Sequence, residues 1–91
     1  MKQLPDTVTS YKRTPEFNQD TVPAGLLAAH QTKAGTWGLI FVLEGRLAYR
    51  ILEPELEALE LSPARRGVVE PTVLHEVEPL GDVRFFVEFY R

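Results

Sequence analysis

Ninety-one residues are enough for one small domain and too few for a second catalytic unit. With 44% hydrophobic and 25% charged residues the makeup is that of a globular protein, and a net charge of -3 gives no electrostatic footprint for nucleic acid. The absence of cysteine excludes disulfides, thiolate nucleophiles and Cys-bound zinc, so any metal ion must be held by imidazole, carboxylate or water.

The N-terminal run Met1-Lys2-Gln3-Leu4-Pro5-Asp6 lacks the apolar core of a signal peptide. No apolar stretch nears the roughly 18 residues needed to span a bilayer. The expectation is a soluble, cytoplasmic single domain over residues 1–91 with no membrane partner. From the N-terminus, Val8 to Arg13 reads as a strand ended by Thr14-Pro15, and Asn18-Gln19-Asp20 as a turn. Gly25 to Thr32 reads as a strand, although Leu26-Leu27-Ala28-Ala29 alone suits a helix. Trp37 to Leu43 is apolar and rich in β-formers, Glu44-Gly45 is a tight-turn signal, and Arg46 to Ile51 alternates with Leu47, Tyr49 and Ile51 on one face. Together these predict a β-hairpin.

Pro54 to Ser62 fits either period, because Leu56 and Leu59 suit a helical stripe while Leu59 and Leu61 suit a strand. Pro63 to Gly67 is a turn, Val68 to Glu70 a short strand stopped by Pro71, and Val73 to Val77 another strand. Pro79 to Asp82 turns the chain. Val83 to Tyr90 then closes it, with Val83, Phe85, Val87 and Phe89 on one side and Arg84, Phe86, Glu88 and Tyr90 on the other. Eight or so short strands at turn-marked spacing, without a long helix, predict an all-β antiparallel sandwich or barrel, the double-sheet jelly roll among them.

The two histidines of the chain, His30 and His75, both sit in alternating segments. If their strands adjoin and the rings point inward, a cavity between them has the means to hold a metal ion or a polar ligand. The ordinary alternative is a core imidazole satisfied by backbone or water.

The run His30-Gln31-Thr32-Lys33-Ala34-Gly35-Thr36-Trp37-Gly38, then Val42-Leu43-Glu44-Gly45-Arg46-Leu47, then Glu70-Pro71-Thr72-Val73-Leu74-His75-Glu76-Val77, resembles the cupin-like domain of the TehB/YeaR family. The resemblance extends from about Tyr11 to Tyr90. It implies a small cupin-like jelly-roll barrel, the double-stranded β-helix, and an association with tellurite resistance or nitrogen-oxide stress. Such domains occur at the N-terminus of some TehB-type methyltransferases and as short stand-alone proteins. The first metal motif of cupins resembles His-x-His followed by Glu; aligned on Val42-Leu43-Glu44-Gly45, those places are held here by Thr32, Ala34 and Gly38. His30 lies one pleat further out on the same face, and His75 corresponds to the histidine of the second motif.

Two neutral imidazoles suit zinc or a similar divalent ion, with a carboxylate and water completing an open shell able to take an oxyanion or other small molecule. Glu70, five residues before His75 and across Pro71, is the third candidate ligand. Its ordinary reading is an exposed carboxylate before a proline, or a partner of Arg65 or Arg66. Arg46 and Arg50 share a face with Ala48 and Leu52, solvated by default and able to receive an anion if that face looks inward. Trp37 reads as a packing anchor.

Two expectations of different class follow. One is a metal- or small-ligand-binding domain, with enzymatic activity left open. The other is a non-catalytic sensing or interaction module that pairs as a homodimer through edge strands and apolar surface such as Phe86 and Tyr90. Methyltransferase chemistry of the TehB kind needs a dinucleotide-type α/β domain with a glycine-rich strand-to-helix turn, and Gly35-Thr36-Trp37-Gly38 is too short to serve.

Overall fold

The computed structural model describes residues 1–91 as two facing antiparallel sheets. The larger contains β1 (Ser10–Arg13), β2 (Phe17–Asn18), β3 (Trp37–Glu44), β6 (Gly67–Val69) and β8 (Arg84–Tyr90). Its order is β1-β8-β3-β6, with β2 also on β8. The smaller is β5 (Glu57–Leu61), β4 (Leu47–Ile51) and β7 (His75–Pro79), with β4 in the middle. The sheets do not close into a barrel: no ladder joins β6 or β1 to the edges of the smaller sheet.

The core is the sum of the inward faces that alternation marks out. Ile40 and Val42 of β3, Leu47 and Tyr49 of β4, Leu61 of β5, Val69 of β6, Val77 of β7, and Phe85 and Val87 of β8 form one buried cluster with Val83. The Tyr49 hydroxyl is satisfied within it by donating to the Val68 carbonyl at 2.8 Å. Burial pushes that phenol well above its ordinary value, with Glu57 and Glu70 adding to the effect.

The structure corrects the sequence reading in three places. Trp37–Glu44 and Leu47–Ile51 are strands, but they do not pair with each other. Both edges of β3 are taken, by β6 and by β8, so the chain crosses at Gly45 to the opposite sheet, where β4 pairs β5 and β7. Gly45 makes this corner with φ of +77°, and an added Cβ would sit 2.0 Å from the Asp82 carbonyl oxygen. Secondly, the expected strand from Gly25 is a single helical turn, α1 (Ala24–Leu27), followed by an isolated bridge at His30. Here the local preference of Leu26-Leu27-Ala28 prevails, and only His30 beyond it pairs with the edge of β7. Thirdly, Phe86 is 7% exposed rather than open surface: it stacks on Phe41 at 4.8 Å and is covered by the Arg13 guanidinium, 3.7 Å from its ring centre.

The ambiguous Pro54–Ser62 stretch resolves as β5. Asn18 starts its turn by accepting the Asp20 and Thr21 amides at Oδ1, an Asx turn. Arg46 and Arg50 look outward from the smaller sheet, where Arg46 pairs with Glu60 and Arg50 with Glu76 and Glu78 across the strands. No helix is long and apolar enough to cross a membrane.

Candidate functional site

β7 is hydrogen-bonded to β4 along one edge, and the other edge is open where the strand begins. His30 fills it. The His30 amide donates to the His75 carbonyl at 3.0 Å and the His75 amide to the His30 carbonyl at 2.9 Å, a closed pair of bonds between two residues directly opposite each other. Side chains at such a pair must lie on the same side of the ladder. The two imidazoles therefore stand side by side, ring centres 4.0 Å apart and tilted by 58°. A third backbone bond, from the Thr72 amide to the Thr32 carbonyl at 3.1 Å, holds the same two segments together.

Each ring is oriented in the same way. His30 Nδ1 lies 2.9 Å from the Ala28 carbonyl and His75 Nδ1 3.0 Å from the Val73 carbonyl, each two residues earlier in the chain. A carbonyl only accepts, so each Nδ1 carries a proton, and in a neutral ring so held the lone pair is on Nε2. His75 is 4% exposed. No buried side-chain nitrogen or oxygen in the protein lacks a partner. His75 Nε2 has no protein partner, and both histidines line a cavity of about 600 Å³. The cavity lies between the sheets, floored by Ile40, Val77 and Phe85 and roofed by the segment that carries α1.

Burial pushes the His75 imidazole below its ordinary value of 6.5; neighbouring His30 acts the same way and the Val73 carbonyl opposes them. His75 is thus neutral and a competent donor of its lone pair at neutral pH. The unfolded chain takes up this proton at higher pH than the folded one, so the stability it contributes is full above 6.5 and is lost as pH falls through the lowered folded value. Urea unfolding at about pH 5.5 should therefore give a lower midpoint than at about pH 7.5, a difference that shrinks in His75→Gln. A midpoint that is flat or rises on acidification contradicts a buried neutral imidazole.

Of the three residues singled out from the sequence, the structure brings His30 and His75 together and leaves Glu70 apart. Glu70 lines a separate cavity of about 240 Å³ and its carboxylate pairs with Lys2 at 2.8 Å. No group of three or more His, Asp or Glu side chains positioned to hold a metal occurs in the protein. The two imidazoles are the only His, Asp or Glu side chains in the lining of the larger cavity. Two cavity residues went unread in the sequence, Lys12 and Lys33. Lys12 faces inward because it pairs with Phe89 of β8, across a register shift after Ser10 that no alternation reveals. Lys33 opens the turn at Gly35, whose φ is +79° and in which the Thr36 amide returns to the Lys33 carbonyl.

Fold and site together define a small two-sheet β domain that holds a pair of lone-pair imidazoles in a ligand-sized cavity. A family model described as the TehB-like domain matches residues 12–87, and the chain belongs to that family. The protein named probable S-adenosyl-L-methionine-dependent methyltransferase TehB, from Haemophilus influenzae (strain ATCC 51907 / DSM 11121 / KW20 / Rd), is 34% identical over 76 residues. That match takes in 79% of this chain and only 27% of TehB's length. YeaR of Escherichia coli (strain K12) is 25% identical over 100 residues, covering 99% of this chain and 83% of YeaR. The crystal structure of Haemophilus influenzae TehB superposes with a TM-score of 0.86 at 31% identity, over 93% of this chain and 32% of that one. A crystal structure of an Escherichia coli (strain K12) protein gives 0.89 at 24% identity over 100% and 97%, a likeness of fold.

Proposed function

We propose that this TehB-like domain is a small-ligand-binding module whose anchor is the His30–His75 pair, the two Nε2 atoms holding one divalent ion, zinc by preference. What carries the reading is that both Nδ1 atoms are engaged by carbonyls two residues back, the outer-shell arrangement that orients metal-bound imidazoles, while neither Nε2 has a protein partner and both rings line one cavity. With only two protein donors, water or the ligand completes the shell, and the ion would supply Lewis acidity to whatever occupies the open positions. The chain's own part is to fix the rings, exclude bulk water with the apolar walls and keep His75 deprotonated. Kinship with TehB supports an assignment to tellurite resistance or a related stress, and the lack of cysteine suits a cytoplasmic setting. The passage of the chain from sheet to sheet at β3–β4, β5–β6, β6–β7 and β7–β8 supports reading the fold as a cupin-like jelly roll with open seams.

Elemental analysis of protein purified without chelator should find about one divalent ion per chain, lost in His75→Ala and in the less buried His30→Ala. Metal at buffer level in the unaltered protein overturns the reading.

A second reading, a homodimer, draws on the outer face of the larger sheet, where Trp37, Leu39 and Phe41 of β3 lie beside Phe86 and Tyr90 of β8. Leu39 and Phe86 are buried there, so the half-buried Trp37, Phe41 and Tyr90, interspersed with Glu88, are the apolar groups this face offers a partner. Light scattering should give twice the chain mass, and Phe41→Glu should halve it; a monomer at micromolar concentration removes this reading.

A further inference from the structure

Charge is distributed unevenly between the two cavities. The chain carries 13 Asp and Glu, yet none lines the large cavity, whereas four glutamates, Glu53, Glu55, Glu57 and Glu70, line the small one. The small cavity answers its own charge: the N-terminal ammonium pairs with Glu57 and Lys2 with Glu70. The large cavity does not. Of the three lysines, Lys12 and Lys33 are its lining cations, and neither takes part in an ion pair or a side-chain hydrogen bond, although Arg46, Arg50 and Arg84 all find carboxylates. Both lysines are exposed residues that also line the cavity, which puts them at its rim, while buried His75 is at its depth.

The walls between rim and depth are apolar, with Phe17, Leu26, Val87 and Phe89 among them. A cavity of this size lined by aliphatic and aromatic carbon favours an occupant with an apolar body. In the metal-free protein the Nε2 lone pairs are acceptors and repel an anionic head, so there such a head belongs at the opposite end, with the ammonium groups.

Resting on the reading of this cavity as a ligand site, we propose that it takes a small organic anion with an apolar body, the negative head received by Lys12 and Lys33 at the rim and the body packed along Phe17, Leu26 and Phe89. Carboxylate and phosphate heads share this chemistry, since an ammonium acts as a point charge and does not select planar geometry.

The test is an NMR titration of the EDTA-treated full chain with hexanoate, hexyl phosphate, hexanol, hexylamine and inorganic phosphate, repeated on a Lys12→Met/Lys33→Met double variant. Hexanoate or hexyl phosphate should bind about tenfold or more tightly than hexylamine or inorganic phosphate, and the double variant should lose about that factor while keeping its affinity for hexanol. Which of the two anions binds the tighter identifies the head. Hexylamine binding as well as hexanoate, inorganic phosphate binding as well as hexyl phosphate, or a double variant with unchanged anion affinity each overturns the proposal. Anion binding that appears only after zinc is restored and is indifferent to the lysines assigns the head to the metal and overturns it too, leaving the metal reading intact. Lysine-dependent binding in protein whose native metal content is at buffer level does the reverse.

Discussion

Gly45→Ala should be the most damaging single-methyl change in the protein. The added Cβ would lie 2.0 Å from the Asp82 carbonyl oxygen and 3.1 Å from Val83 Cα, both backbone atoms that have no rotamer to escape into. The residue would also keep φ near +77°, a conformation that costs an L-side chain about 1 to 2 kcal/mol by itself. Steric relief must come from separating the corner after β3 from the turn before β8, which the Glu44–Arg84 contacts and the Leu80 amide bond to the Arg46 carbonyl hold closed. The combined cost is about 3 to 5 kcal/mol, a fall in Tm of at least about 12 °C for a chain of this size. Gly35→Ala separates the two contributions, because Gly35 has φ of +79° but nothing within 4 Å of its added Cβ. It should lose only the conformational part, about 1 to 2 kcal/mol. Equal losses at the two glycines would mean that the corner does not pass against Asp82 and that β3 and β4 form a simple hairpin.

Phe85→Ala is the second large effect. Phe85 is 0% exposed near the start of the inner face of β8, meets Phe17 edge-on with ring centres 5.7 Å apart, and forms part of the cavity floor. Removing its ring deletes buried contacts and opens a void, at about 3 to 5 kcal/mol. Its neighbour Phe86 faces the other way, under Arg13 and against Phe41, where the surroundings can collapse onto the space. Phe86→Ala should cost about half as much. Denaturant unfolding of the two variants reads the difference directly. A greater loss at position 86 would place the main core on the wrong side of the sheet.

These two experiments bear on what alternation in a sequence conveys. It assigns faces: Val83, Phe85, Val87 and Phe89 on one side of the last segment, and Leu47, Tyr49 and Ile51 on one side of β4, emerge from the chain as read. It does not assign partners. The same residues 37–51 serve a hairpin or a crossing between sheets, and the choice depends on β8, some 40 residues away, occupying the edge of β3 that β4 would otherwise use. Short elements are equally silent: a two-residue strand at Phe17 and one helical turn at Ala24 carry no period.

The candidate site divides the same way. The two histidines stand out because histidine is rare in the chain, but the strand that alternation assigns to His30 is a helical turn and one bridge, so its approach to His75 is set by long-range pairing. Lys12 does not stand out, because a lysine in an edge strand reads as solvent-facing, and only the register shift before it turns the side chain over the cavity. Glu70 was drawn towards His75 by nearness in sequence, whereas the turn through Pro71 and Thr72, with φ of 63° at the threonine, carries it to the other cavity. Ion pairing with Lys2 then accounts for its carboxylate.

The metal reading depends on two Nε2 lone pairs opening into one space. Long-range proton–nitrogen NMR of the imidazoles at neutral pH, before and after one equivalent of zinc, addresses this most directly. Both rings should show the proton on Nδ1, and zinc should move both Nε2 resonances together in one saturable step. A ring protonated on Nε2, or zinc that shifts one histidine and leaves the other unchanged, contradicts a shared site.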